Sequence, residues 1–271
     1  MSSSAPQAEP IGVHLVVGGF PAGSGAGHDM DDVRLRLLTM LADRPTRTSV
    51  AADFGDVERW LPLSRFLVTY TAGPYPDDDQ DRLIRGWLEA GGRWLGLHGT
   101  SGGRAARTDG GRRMVRTAHH ETLGAFFLNH PPLRRFVVDV VAHPLTLGVE
   151  RFETADELYF IELTHPEDTD VLLTTELPAD PAPGFGFSYD GDTSLLADGR
   201  TRVLGFTRPV GAGGVTYLAL GHSHHPATNG QPWVDESVAT GGITPPVFRG
   251  SWDTFAFSRL LANALDWGCR V

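Results

Sequence analysis

A chain of 271 residues, 41% hydrophobic and 21% charged, reads as an ordinary globular protein long enough to bury a large core. Its formal net charge of −10 argues against a nucleic-acid partner, which would need a basic face, and against docking on anionic membranes. Lysine is absent, which excludes Schiff-base chemistry on a protein amine (lysine-bound pyridoxal phosphate included) and a phosphate-binding P-loop.

The single cysteine, Cys269, excludes an internal disulfide framework and a multi-cysteine zinc site. The opening MSSSAPQAEP is small and polar, without the basic and apolar regions of a secretory signal. Residues 1–9 are therefore expected to be a disordered tail and the protein cytoplasmic. No apolar run reaches bilayer-spanning length.

Ile11 to Val17 reads as the first strand, followed by the loop GGFPAGSGAGHD. That loop fails as a dinucleotide fingerprint, because the position of the third glycine is His28; no nucleotide is expected. Val33, Leu37, Leu38 and Leu41 share one helical face within Met30–Leu41. Thr48–Ala52 and Arg65–Tyr70 read as strands, and PDDDQD at Pro76–Asp81 starts a helix that Gly91 and Gly92 end. Arg93–Leu97 is the next strand, and His98 stands where it stops, before a Gly-rich turn.

Arg104–Arg116 reads as a loop rich in Arg and Gly, a candidate mobile flap for an anionic substrate beside the mouth of the pocket. Phe136–Val141, Leu158–Ile161 and Val171–Thr175 read as strands, and residues 178–200 as an excursion between strands. Val203–Phe206 and Val215–Leu220 form an expected hairpin, residues 226–250 are irregular, and Phe257–Leu265 marks a closing amphipathic helix. Helix–strand alternation in the first half, with antiparallel strands later, predicts one α/β domain over residues 10–271 with a mostly parallel sheet.

Histidines recur at predicted strand ends: His98, His143 and His222. In a shared sheet, carboxyl ends gather functional groups along one edge. With His130 and Glu157 they suit a divalent metal such as zinc or manganese, and equally suit acid–base work. The metal ligands expected are His98, His143 and His222. Without metal, His98 and Glu157 form the acid–base pair. The glycines after His98 are expected to leave its imidazole uncovered and outside the core.

The blocks GGRWLGLHGTSGG, LGAFFLNHP, AHPLTLGVERFETADELY, GGVTYLALGHSHH and LLANALDWG, from about Arg65 to the C-terminus, resemble the ThuA-like, or trehalose-utilisation, family. The resemblance implies a flavodoxin-like α/β sandwich related to class I glutamine amidotransferases. In those enzymes a cysteine nucleophile sits on the strand–helix turn; here that position is His98, so amidotransferase activity is excluded. It also implies a role with trehalose-like disaccharides or their keto derivatives, and a site at His98, His130, His143, Glu157 and His222. This chain departs from the family pattern at Arg104–Arg116 and 226–250.

The reading is an enzyme acting on a small sugar, with His98, Glu157 and His222 catalytic and His130, Tyr159 and Trp233 touching substrate. Trp252 is a further candidate to stack on a sugar ring. The alternative is a non-catalytic carbohydrate-binding or regulatory protein on the same fold. A homo-oligomer is compatible with the sequence.

Overall fold

The structure is a computed structural model that describes residues 9–270 except 22–26, 109 and 229–230. The tail expected over residues 1–9 therefore lies, but for Glu9, outside the described residues, as does the middle of the first loop.

The first half of the chain runs β1 (Ile11–Gly19), α1 (Met30–Ala42), β2 (Thr46–Ala51), the single turn α2 (Val57–Trp60), β3 (Phe66–Ala72), α3 (Asp78–Glu89) and β4 (Arg93–Leu97). Asp29 caps α1, and Asp77 with Gln80 forms a capping box on α3, so the acidic stretches serve helix N-termini. Then come β5 (Ala105–Thr108), β6 (Gly111–Met114), α4 (Ala118–Leu123), β7 (Ala125–Asn129), β8 (Arg134–Val140), β9 (Phe152–Asp156), β10 (Phe160–Leu163), β11 (Asp170–Glu176), β12 (Thr201–Val210), β13 (Gly213–Leu218) and α5 (Phe255–Gly268).

The main sheet has the order β2-β1-β3-β4-β13-β12-β11-β8-β9. The five strands from β2 to β13 are parallel, and the four beyond pair antiparallel. This is a flavodoxin-like α/β sheet with an antiparallel extension, as expected. Alternation along the strands sends side chains to two cores. Val13, Leu15 and Val17 of β1 pack with α1 and α5 on one face, and Val16 packs with Ile84 and Leu88 of α3 on the other.

Arg104–Arg116 is not a plain loop: β5 and β6 pair as an antiparallel hairpin. Its strand residues are exposed apart from the half-buried Met114, so no apolar alternation marks it in the sequence. The strand expected over Leu158–Ile161 begins only at Phe160, because residues 157–159 turn inward as an irregular link. β10 pairs with β7, outside the main sheet. Among the described residues no helix is long and apolar enough to cross a membrane.

Candidate metal and acid–base centre

The carboxyl ends of β1, β4 and β13 lie along one edge of the parallel sheet. They deliver, in turn, the loop bearing His28, the turn beginning at His98, and Gly221-His222. β9 runs in the same direction, and its carboxyl end delivers Asp156-Glu157. Ligand atoms of His28, His98, Glu157 and His222 all lie within 4.8 Å of one another, and all four residues are buried.

His98 opens a 3-10 turn, His98–Ser101, with φ +44°, the only positive φ on a non-glycine among the described residues. This strained elbow is held by neighbours rather than by local propensity. Gly99 follows because a Cβ there would stand 2.4 Å from the Thr71 carbonyl oxygen of β3. The imidazole is not uncovered, as the Gly-rich turn suggested. It is fully buried, stacked on Tyr159 at a ring-centroid distance of 4.3 Å and on Tyr70 at 5.8 Å.

Hydrogen bonds fix which nitrogen of each ring faces the centre. His98 Nδ1 lies 2.8 Å from the Ala219 carbonyl, so it is the donor and Nε2 points inward. His224 Nε2 lies 2.8 Å from the Pro245 carbonyl, so His224 Nδ1 must accept from His222 Nε2 at 2.9 Å, which leaves His222 Nδ1 inward. The Tyr70 hydroxyl donates to the Gly221 carbonyl at 3.0 Å and lies 3.5 Å from His28 Nδ1, leaving His28 Nε2 as the ligand atom.

Glu157 Oε2 stands 3.2 Å from both His98 Nε2 and His222 Nδ1. None of these three buried atoms completes a hydrogen bond. Neutral imidazoles in these tautomers and an ionised carboxylate would set lone pairs against lone pairs. A proton or a cation between them resolves the conflict. The donor set, three neutral nitrogens and one carboxylate with their outer nitrogens committed elsewhere, fits a divalent metal such as zinc.

The electrostatics agree. Burial alone would raise the Glu157 carboxyl, yet His130, His222 and His98 together hold it well below the usual carboxylate range. Burial pulls the His98 imidazole down, but contact with Glu157, with Asp156 behind it, carries it above its ordinary value. His28 is driven well below its ordinary value by burial and by the neighbouring His222 and His98.

Glu157 Oε1 is occupied from the other side. The Gln231 side-chain amide donates to it, and His130 Nε2 lies 3.7 Å away. His130 also stacks over Tyr159 at 5.7 Å. Behind the centre, Asp156 accepts from the backbone N–H groups of Glu157, Gly221, His222 and Ser251. It thus fastens the ends of β9 and β13 together. The cleft above has a volume of about 1250 Å³, and its walls include His28, His130, Glu157, Tyr159 and His222. The β5–β6 hairpin forms part of its mouth, where the sequence placed a flap.

His143 does not join the cluster. β8 runs antiparallel to β11, so its carboxyl end faces the opposite edge of the sheet. There His143 caps a 3-10 turn, Nδ1 accepting from the Leu145 N–H at 3.1 Å. His28 takes the position expected of it. In the sequence His28 stands out only as the residue that breaks a nucleotide motif; its place after the first parallel strand is the signal. Gln231, in the irregular segment, carried none. Trp233 stands farther out, 48% exposed and packed edge-on against Phe185. Trp252 is buried and donates to the Gly221 carbonyl, a structural post rather than a sugar platform.

The family model for ThuA, described as trehalose utilisation, matches residues 45–243. The chain belongs to the ThuA family. Among solved structures it is similar to a ThuA-like protein from Bacteroides uniformis, with TM-score 0.58 and 16% identity over 98% of this chain and 95% of that one. A ThuA-like protein from Parabacteroides merdae gives TM-score 0.56 and 17% identity over 96% and 90%. A cold-adapted β-galactosidase from Rahnella sp. R3 shares the fold over 78% of this chain and 28% of its own, at TM-score 0.50 and 14% identity. No curated protein matches the chain.

Proposed function

We propose that this ThuA-family protein is a metal-assisted enzyme of carbohydrate metabolism acting on a trehalose-like disaccharide or its keto derivative. The observation that carries the reading is the convergence of inward-facing ligand atoms of His28, His98, Glu157 and His222, three of which, His28, Glu157 and His222, line a sugar-sized cleft with His98 buried behind them. A divalent ion held there would polarise a carbonyl or glycosidic oxygen.

The chain's own residues supply the rest. Without an ion, the same facing atoms of His98 and Glu157, 3.2 Å apart, would instead hold a proton between them and pass it to or from the substrate. The edge of Tyr159 available to the cleft gives a sugar ring an apolar wall, and His130 offers a hydrogen bond beside it. Closely packed rings around His98 keep bulk water from the proton. The protein is taken as cytoplasmic, with a small sugar as its partner.

Metal analysis of the purified protein, followed by a time course with keto-disaccharides, tests this directly. Bound zinc or manganese together with turnover is expected. Sugar binding without turnover would favour a non-catalytic carbohydrate-binding role, and absence of any stoichiometric metal would remove the metal from the reading.

A further inference from the structure

We infer that the substrate of this site carries an oxyanion, a carboxylate or a phosphate, which Arg104 and Arg112 of the hairpin read at the mouth of the cleft. The inference rests on the sugar-site reading above and adds to it the chemical class of the substrate.

The chain as a whole is acidic, with a formal net charge of −10, yet one wall of this cleft is basic: Arg104, Arg112 and Arg116 line it together with His28, Glu157 and His222. Arg116 is committed elsewhere, to Glu162 at 2.5 Å and Glu121 at 3.3 Å. Arg113, one residue along the same strand, is paired with Asp190 at 2.5 Å and lines a different cavity. Arg104 and Arg112 differ from both, since neither has a carboxylate partner among the described residues.

Arg112 is nonetheless held in place. Its guanidinium lies 4.6 Å over the Phe187 ring, and its backbone carbonyl accepts from the Ser188 N–H at 2.8 Å. Stacking on an aromatic face fixes the plane of the guanidinium while leaving its N–H edge to meet an anion. Arg104 is joined to the same hairpin base, its carbonyl accepting from Val115 N–H at 2.9 Å.

Two carboxylates, Asp77 and Asp78, lie on the rim as well. Asp77 is engaged by its own helix, accepting from the N–H groups of Asp79 and Gln80, and both belong to the acidic N-terminus of α3. They do not neutralise the two arginines, with which they form no ion pair. A planar guanidinium pairs with carboxylate or phosphate through two parallel hydrogen bonds, which lysine would not provide. A neutral disaccharide would leave both guanidiniums facing water.

Calorimetry on the purified full chain at low ionic strength tests the inference, with trehalose, trehalose 6-phosphate, a glucuronic-acid disaccharide and inorganic phosphate as probes. At least one anionic sugar should bind tenfold or more tightly than trehalose, and the better of the two identifies the oxyanion. In Arg104→Gln/Arg112→Gln that ratio should fall to near one. Raising the ionic strength on the unaltered protein should weaken the anionic sugar alone, a readout that needs no variant. Equal affinity for trehalose and both anionic sugars would overturn the inference. If no sugar binds but inorganic phosphate does, in an arginine-dependent manner, the oxyanion site stands and the sugar reading falls.

Discussion

The backbone N–H of His222 donates to the carboxylate of Asp156 at 2.9 Å, and this one bond joins two strand ends that lie 66 residues apart in the chain. Because Asp156 also accepts from Glu157, Gly221 and Ser251, its carboxylate is the buried clasp beneath the candidate centre. Asp156→Ala would strand several buried donors at once. It should cost about 3 kcal/mol or more in a urea titration, since each unsatisfied buried group costs about 1–3 kcal/mol. A loss below about 1 kcal/mol would contradict the clasp.

His98→Ala should abolish turnover of whatever substrate is found, by at least about 100-fold, the low end of general acid–base contributions. Because the imidazole is buried among Tyr70, Tyr159 and His28, the variant should also lose about 1–3 kcal/mol of stability while remaining folded. Activity assays beside circular dichroism separate the two effects; an active variant would end the catalytic assignment.

Metal affinity should depend on His224 although it is not a ligand. It accepts the proton that sets the His222 tautomer, and such outer partners are worth about 10–100-fold in affinity. Competition with a chelator should show zinc held that much more weakly in His224→Phe, and more weakly still in His28→Ala. His143→Ala, on the far edge of the sheet, should bind as the unaltered protein does. Loss of zinc in that control would overturn the ligand set.

Stability should fall on acidification between pH 6.5 and about 4. Burial lowers His14 to about 4, His119 to about 3 and His120 to about 4. The unfolded chain binds protons on these rings below its ordinary value of 6.5, while the folded chain refuses them. Their stabilisation is thus complete above that pH and declines below it, by up to about 1.4 kcal/mol per pH unit for each ring. His98, raised by its contact with Glu157, and Asp81, raised by burial, act oppositely. Urea midpoints at pH 7, 6 and 5 measure the net slope; a flat profile would contradict it.

What the sequence determined by itself was local. The one-sided apolar face of α1, the helix start at PDDDQD, the strands β1 and β3, and the runs that stop at His98 and His222 were legible from period and punctuation. His98 and His222 could be read as site residues because each ends a strand-like run, whereas His130 and Glu157 rested on the family resemblance and Tyr159 on its aromatic ring. The tertiary structure decided what strand direction controls. Periodicity reveals a strand but not which way it points, so His143 and His222 looked equivalent until β8 proved antiparallel to the strand beside it. The same fact admitted His28, whose strand β1 is parallel to β3 and opens onto the site edge. Tautomers, the Asp156 clasp and the Gln231 contact depend on atoms from distant segments meeting at fixed distances, and no local pattern encodes such distances.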